Sequence, residues 1–211
     1  MESSVKSLFK IIVFSLVLLL ICGIIYPLVM TGISQMVFRD KANGSIIEVD
    51  GKAVGSELVG QDFKDDRFMR CRPSAVNYNI YTEDEKDSGE YEGLASGSTN
   101  LAPSSYDLKE RVEKDMEEFL KKNPSIKKED IPADLLTASG SGLDPHISLK
   151  AAEIQIPVIA KATGLDEGML EKFVADNTKE KFLGIFGEKT VNVLKVNLEI
   201  AKELGIIEDN N

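Results

Sequence analysis

Charged residues recur along the chain, and the longest stretch without one lies near the N-terminus. None falls between Lys10 and Arg39, so residues 11–38 form an uncharged run of 28. As a helix rising about 1.5 Å per residue, that run reaches roughly 42 Å, more than the ~30 Å apolar core of a bilayer. Residues 11–25 are nearly all Ile, Leu, Val and Phe, and Tyr26 and Pro27 follow them. Tyrosine is favoured where a helix leaves hydrocarbon for headgroups. The pattern predicts a transmembrane helix over 9–33. A cleaved leader has a shorter apolar stretch and a small-x-small site, and a lipoprotein signal has a small residue where Ile21 precedes Cys22. A core helix would carry a polar face, which this run lacks. An uncleaved anchor is therefore expected.

Beyond the run the spacing changes repeatedly. Asp50-Gly51 is a favoured two-residue turn between β-rich Ile46–Val49 and residues 53–54, which predicts a hairpin. Pro73 argues against a long regular element near FMRCRPSA. Residues 81–92 hold many acids and no apolar periodicity, and read as an exposed loop. Leu108, Val112, Met116, Phe119 and Leu120 mark one face of a helix over Tyr106–Lys122, capped by Ser104 or Ser105 and ended by Asn123-Pro124. Ser148 can cap a helix that Pro157 breaks or kinks, and Asp166 can cap another with Met169, Leu170, Phe173 and Val174 on its buried side. The last element, 190–204, begins with strand-like alternation and continues with helical spacing through Val191, Leu194, Leu198 and Ala201. No internal repeat is visible. The expectation is an α+β extracytoplasmic domain preceded by a single transmembrane α-helix, with 1–8 as a short cytoplasmic N-terminus, 9–33 in the membrane and 34–211 outside.

Composition narrows the functional classes. With 43% hydrophobic and 28% charged residues in 211, the chain is suited to folding. Its net charge of −10 opposes nucleic-acid binding. Two cysteines and one histidine cannot build an ordinary structural zinc site or a disulfide scaffold. Lys6 and Lys10 against Glu2 place the N-terminus in the cytoplasm by the positive-inside rule, although Arg39 and Lys41 reduce the contrast. Removing those three N-terminal charges from the totals of 25 basic and 35 acidic residues leaves 23 and 34 beyond the helix, an acidic outer domain. Cys71 then lies outside while Cys22 is in the membrane, and it reads as a small buried apolar residue.

Candidate chemistry is sparse. There is no GxxxxGK[ST] phosphate loop and no GxSxG elbow, and His146, two residues from Asp144, is the one imidazole available to a triad. A serine–lysine hydrolase needs a desolvated lysine, whereas most lysines here sit in charged runs. The small residues Ser139, Gly140, Ser141 and Gly142 could form an anion cradle, but a flexible turn between two elements is the favoured account. Gln155, just before Pro157, reads by default as a polar residue satisfying local backbone. Gly23, Thr31, Gly32, Ser34 and Gln35 would let another membrane helix approach closely. These features suit a partner in an assembly.

The strings GIIYPLVMTGISQMVF, ANGSII, GSELVGQ, RPSA, ASGSTNL, DLLTASGSGLDPHIS, AAEIQIPVIAKATGL and VNVLKVNLEI occur in this order between Gly23 and Ile200. Together they resemble the KdpC family, the C subunits of Kdp potassium-transporting P-type ATPases. The resemblance implies an accessory, non-catalytic subunit of a high-affinity potassium uptake complex in the cell membrane, needed for assembly and stability. Its partners would be a channel-like potassium-binding subunit, a P-type ATPase subunit, a small single-helix subunit and membrane lipid.

It implies no cofactor of its own, ATP being reached only through the complex. One family proposal is a catalytic chaperone raising the ATP affinity of the hydrolysing subunit. Its nucleotide contact would fall at Gln155 and at a signature-like loop matched by Ser139, Gly140, Ser141 and Gly142. The expected topology opposes this, because it puts those residues outside and ATP inside. A cap over the potassium entrance is the alternative role. The chain departs from the family at Arg70-Cys71, where a His-Gly pair is common, and at Ser98-Thr99, which replace Gly and Ser. A membrane-anchored extracytoplasmic hydrolase or sensor is the competing reading.

Overall fold

The computed structural model describes residues 2–89 and 93–208, which divide into two compact units meeting at Ile46/Ile47. In the first unit, α1 (Glu2–Leu20) passes through a π-helical turn, Ile21–Ile25, into α2 (Tyr26–Val37), and a short α3 (Arg39–Ala42) follows. Residues 5–37 have a peak mean hydropathy of 2.9, and none of that stretch is buried within the chain. Such a helix needs lipid or another protein around it. Pro27 explains the π turn. Its ring has no N–H to give the carbonyl of Gly23 and would clash with it, so the helix widens and Tyr26 N donates to Ile21 O instead. The helix runs four residues past the expected end at 33, because 34–37 contain neither charge nor breaker. Phe38, with φ −135° and ψ 47°, ends it, and the amide of Gln35 then donates to Asn43 Oδ1 at 2.9 Å.

The second unit is built of short elements. Strands β1 (Ile46–Val49) and β2 (Lys52–Ser56) form the expected hairpin, with Asp50 and Gly51 both at positive φ (52° and 70°), as a type I′ turn requires. A three-stranded antiparallel sheet has β5 (Thr190–Asn192) at its centre, between β3 (His146–Ser148) and β4 (Thr178–Lys179). Ile147 pairs with Val191, and both side chains are buried.

Helices α6 (Leu149–Glu153), α7 (Ile156–Thr163), α8 (Glu167–Asp176) and α9 (Val193–Glu203) close the core around Ala151, Ala152, Ile159, Leu170 and Ile200. Ser148 ends β3 and caps α6 by accepting from Ala151 N at 3.2 Å, while Asp134 accepts its own N–H at 2.6 Å. Pro157 stands in the first turn of α7, where its missing N–H costs nothing, and so separates α6 from α7 as expected. Asp166 caps α8. The terminal segment is both things its pattern suggested, strand β5 and then helix α9.

A smaller core lies under α5 (Tyr106–Lys122), where Phe119 meets Ile131 and Leu136, and Ser105 rather than Ser104 is the cap. One expectation changes. Within the acidic stretch 81–92, residues Glu83–Ser88 form a helix, α4. Thr82 and Glu85 build a reciprocal capping box, and three acids in the first turn favour the positive end of the helix dipole. The segment is nonetheless exposed, and residues 90–92 lie outside the described residues.

Candidate functional site

The segment from Met69 to Ser74 belongs to no sheet, so its backbone needs other partners. Two buried amides supply them. Asn197 accepts from Met69 N at 2.8 Å and donates to Met69 O at 2.9 Å, imitating a strand across 128 residues of sequence. Gln155 does the same for the next residue, with Arg70 N donating to Oε1 at 2.9 Å and Nε2 donating to Arg70 O at 3.3 Å. Its Nε2 also donates to Ala151 O at 2.9 Å, and the residue is only 5% exposed. Every polar atom of the Gln155 side chain is therefore engaged by backbone.

This pinned segment forms one wall of a cavity of about 190 Å³ that Arg70, Cys71, Tyr78, Glu118 and Gln155 help to line. Tyr78 donates its hydroxyl to Arg72 O at 2.6 Å, and Ser74 Oγ donates to Gly142 O at 2.6 Å. Burial pushes the Cys71 thiol up to about 12, so it stays protonated, and burial raises the Tyr78 hydroxyl as well.

Ser139, Gly140 and Ser141 face a different cavity, of about 540 Å³, together with Arg72, Asp144 and His146. Arg72 lines both cavities, but the structure does not bring Gln155 and the 139–142 loop together. The loop is tied to itself. Gly142 N donates to Ser139 Oγ at 2.9 Å and Leu143 N to Ser141 Oγ at 3.1 Å, which occupies two of the N–H groups an anion cradle would use. Ser141 O accepts from Gly97 N at 2.8 Å. A Cβ on Gly142, whose φ is +67°, would lie 2.7 Å from Gly97 O, so only glycine fits there.

Asp144 accepts from His146 N at 3.0 Å, approaches His146 Nδ1 at 3.3 Å and lies 3.5 Å from Arg72. Chiefly the His146 hydrogen bond, with help from the Arg72 charge, holds this carboxyl below its ordinary value. Among the described residues no serine hydroxyl hydrogen-bonds to His146, and no group of three or more His, Cys, Asp or Glu is placed to hold a metal ion. The arrangement is a set of interlocked loops with its polar atoms largely satisfied internally.

The pinning role of Asn197 was missed by the sequence reading, as was Asn192, which donates to Glu57 O at 2.9 Å. A signal existed for Asn197. It falls on the same helical face as Val193, Ile200 and Ala201, and a polar residue within an apolar stripe needs a buried partner.

A family model described as "K+-transporting ATPase, c chain" matches residues 8–202. The Potassium-transporting ATPase KdpC subunit of Clostridium kluyveri is 60% identical over 206 residues, 98% of each chain. That of Clostridioides difficile is 57% identical over 207 residues, covering 96% of this chain and all of the relative. That of Caldanaerobacter subterraneus is 50% identical over 191 residues, 90% of this chain and 92% of the relative. The match runs from within α1 to the last turn of α9, taking in the 69–74 segment and the 139–142 loop, and the chain belongs to the KdpC family.

Proposed function

We propose that this chain is a membrane-anchored accessory subunit of a potassium-transporting P-type ATPase. Its C-terminal domain stands on the extracytoplasmic face, caps the ion entrance of a channel-like subunit and stabilises the assembly. Lys6 and Lys10 hold the N-terminus in the cytoplasm. The other companions are the hydrolysing subunit and a small single-helix subunit, and the chain itself contributes no cofactor and no hydrolytic group.

The observation that carries this reading is Gln155. A residue meant to touch nucleotide would have a polar atom to spare, yet its buried amide is spent on Arg70 and Ala151 backbone. Ser139, Gly140, Ser141 and Gly142 likewise serve the loop that clasps residues 96–97. On this reading these five residues shape a scaffold, and the nucleotide-chaperone role is the weaker alternative.

The test is affinity purification of the tagged full-length chain, in mild detergent, from cells making all subunits. Protease treatment of sealed vesicles runs in parallel. Recovery with a polytopic channel-like protein and a P-type ATPase, and a domain cleaved only from the outer face, are expected. Recovery of the chain alone, or a domain protected from the outside, overturns the proposal.

A further inference from the structure

Between β4 and β5 the chain runs out into a hairpin whose tip is Phe182, Leu183, Ile185 and Phe186, each 63–76% exposed. The tip is not loose. Phe182 N donates to Phe186 O at 2.8 Å and Phe186 N to Phe182 O at 3.0 Å, and Leu183 is held at φ +54°, a conformation leucine seldom adopts. Four large apolar side chains are thus presented to solvent by a closed backbone loop. Contiguous exposed apolar groups of this kind mark interaction sites.

The neck of the hairpin opens on a groove of about 660 Å³, since Thr178, Glu180 and Lys189 are among its lining residues. The groove has an apolar floor of Leu149, Ile156 and Val174. Its rim carries Glu153, Glu167, Glu171 and Glu180. Lys189 pairs with Glu180 at 2.8 Å, whereas the other three glutamates make no ion pair among the described residues. An apolar floor beside uncompensated negative charge selects a partner by complementary charge. The same rim disfavours a bilayer, because anionic headgroups would meet glutamates beside the tip.

We propose that the Phe182–Phe186 tip and the glutamate-rimmed groove form one docking surface for an extracytoplasmic segment of a companion subunit that carries Lys or Arg beside apolar side chains. This rests on the accessory-subunit reading above. The tip supplies buried apolar area to the interface, and Glu153, Glu167 and Glu171 set its register and specificity.

The test places photoreactive p-benzoylphenylalanine at Phe186 in the full-length chain, co-expressed with the other subunits, and repeats it at Tyr106, an aromatic 80% exposed on α5. Irradiation is expected to join the Phe186 probe to one companion subunit and to leave the Tyr106 probe free. The double change Glu153→Lys/Glu171→Lys should cut the Phe186 adduct by about tenfold or more, while the chain still co-purifies through its helix. Glu153→Gln/Glu171→Gln, which preserves shape, should cut it less, with circular dichroism confirming the fold of both variants. A lipid adduct alone, no adduct in an intact complex, or a yield indifferent to both double changes overturns the docking surface. Absence of companions from the unmodified chain's preparation overturns the accessory-subunit reading as well, so the two failures are distinguishable.

Discussion

Replacing Gln155 by alanine separates the two roles proposed for this residue. The substitution removes three hydrogen bonds, leaving Arg70 N–H, Arg70 C=O and Ala151 C=O without that partner. An unsatisfied buried polar group costs about 1–3 kcal/mol. Gln155 borders the 190 Å³ cavity, from which water can reach part of the gap, so the lower half of the range applies to each of the three groups and the sum is about 3–6 kcal/mol. For a unit of this size each kcal/mol lowers Tm by about 2–4 °C, which predicts a fall of roughly 6–24 °C.

The assay is thermal unfolding of the purified chain followed by circular dichroism, paired with ATPase kinetics of the assembled complex. Because the loss is structural, kcat should scale with the assembled fraction and KM for ATP should not change. Gln155→Glu provides an internal control. Its carboxylate keeps the bond from Arg70 N–H but faces the carbonyls of Arg70 and Ala151, which raises its folded pKa above the unfolded value of about 4.3. The folded state then binds more protons, so this variant is most stable at acid pH and loses stability as pH rises through the raised value. A Gln155→Ala chain that melts with the parent yet raises KM for ATP would refute the structural reasoning and favour nucleotide contact.

Three further outcomes follow from the geometry. A Cβ at Gly23 meets nothing within 4 Å in the chain, so Gly23→Leu should leave the isolated helix intact while reducing co-purification with membrane companions, and unchanged recovery would show that no helix packs there. The Asp144 carboxylate, lowered by His146 and Arg72, contributes stability that is complete above its ordinary value of 3.8 and is lost as pH falls through the lowered one. Asp144→Asn should therefore flatten the acid limb of a pH–stability curve, and an unaltered limb refutes the coupling. Cys71, protonated and partly buried, should resist maleimide at pH 8 until the domain is unfolded, as mass spectrometry of labelled peptides would show; prompt labelling of the native chain contradicts it.

Some of this molecule is legible without coordinates, and for local reasons. An uncharged run of 28 residues has few fates other than a membrane. The Asp50-Gly51 turn, the caps at Ser105, Ser148 and Asp166, and the break at Pro157 depend on chemistry within three or four residues, and all appear in the structure. The helix at Glu83–Ser88 was obscured because acidic residues mark a solvated loop and a helix N-terminus alike, and the capping box decided between them. Family membership was legible for a different reason, the order of eight short strings along the chain.

The partners of Gln155 and Asn197 could not be read in this way. Apart from the nearby Ala151 carbonyl they lie 85 and 128 residues away, and an amide in a sequence carries no mark of which distant backbone it will meet. The tertiary structure alone also separated Gln155 from Ser139, Gly140 and Ser141 into two cavities and joined the hairpin neck to the groove rimmed by Glu153 and Glu171. Caps, turns and a spanning helix are settled by neighbours along the chain, where covalent connection has already brought the groups together. Buried polar pairings and surface grooves exist only once distant segments pack, so they belong to the folded molecule rather than to any stretch of its sequence.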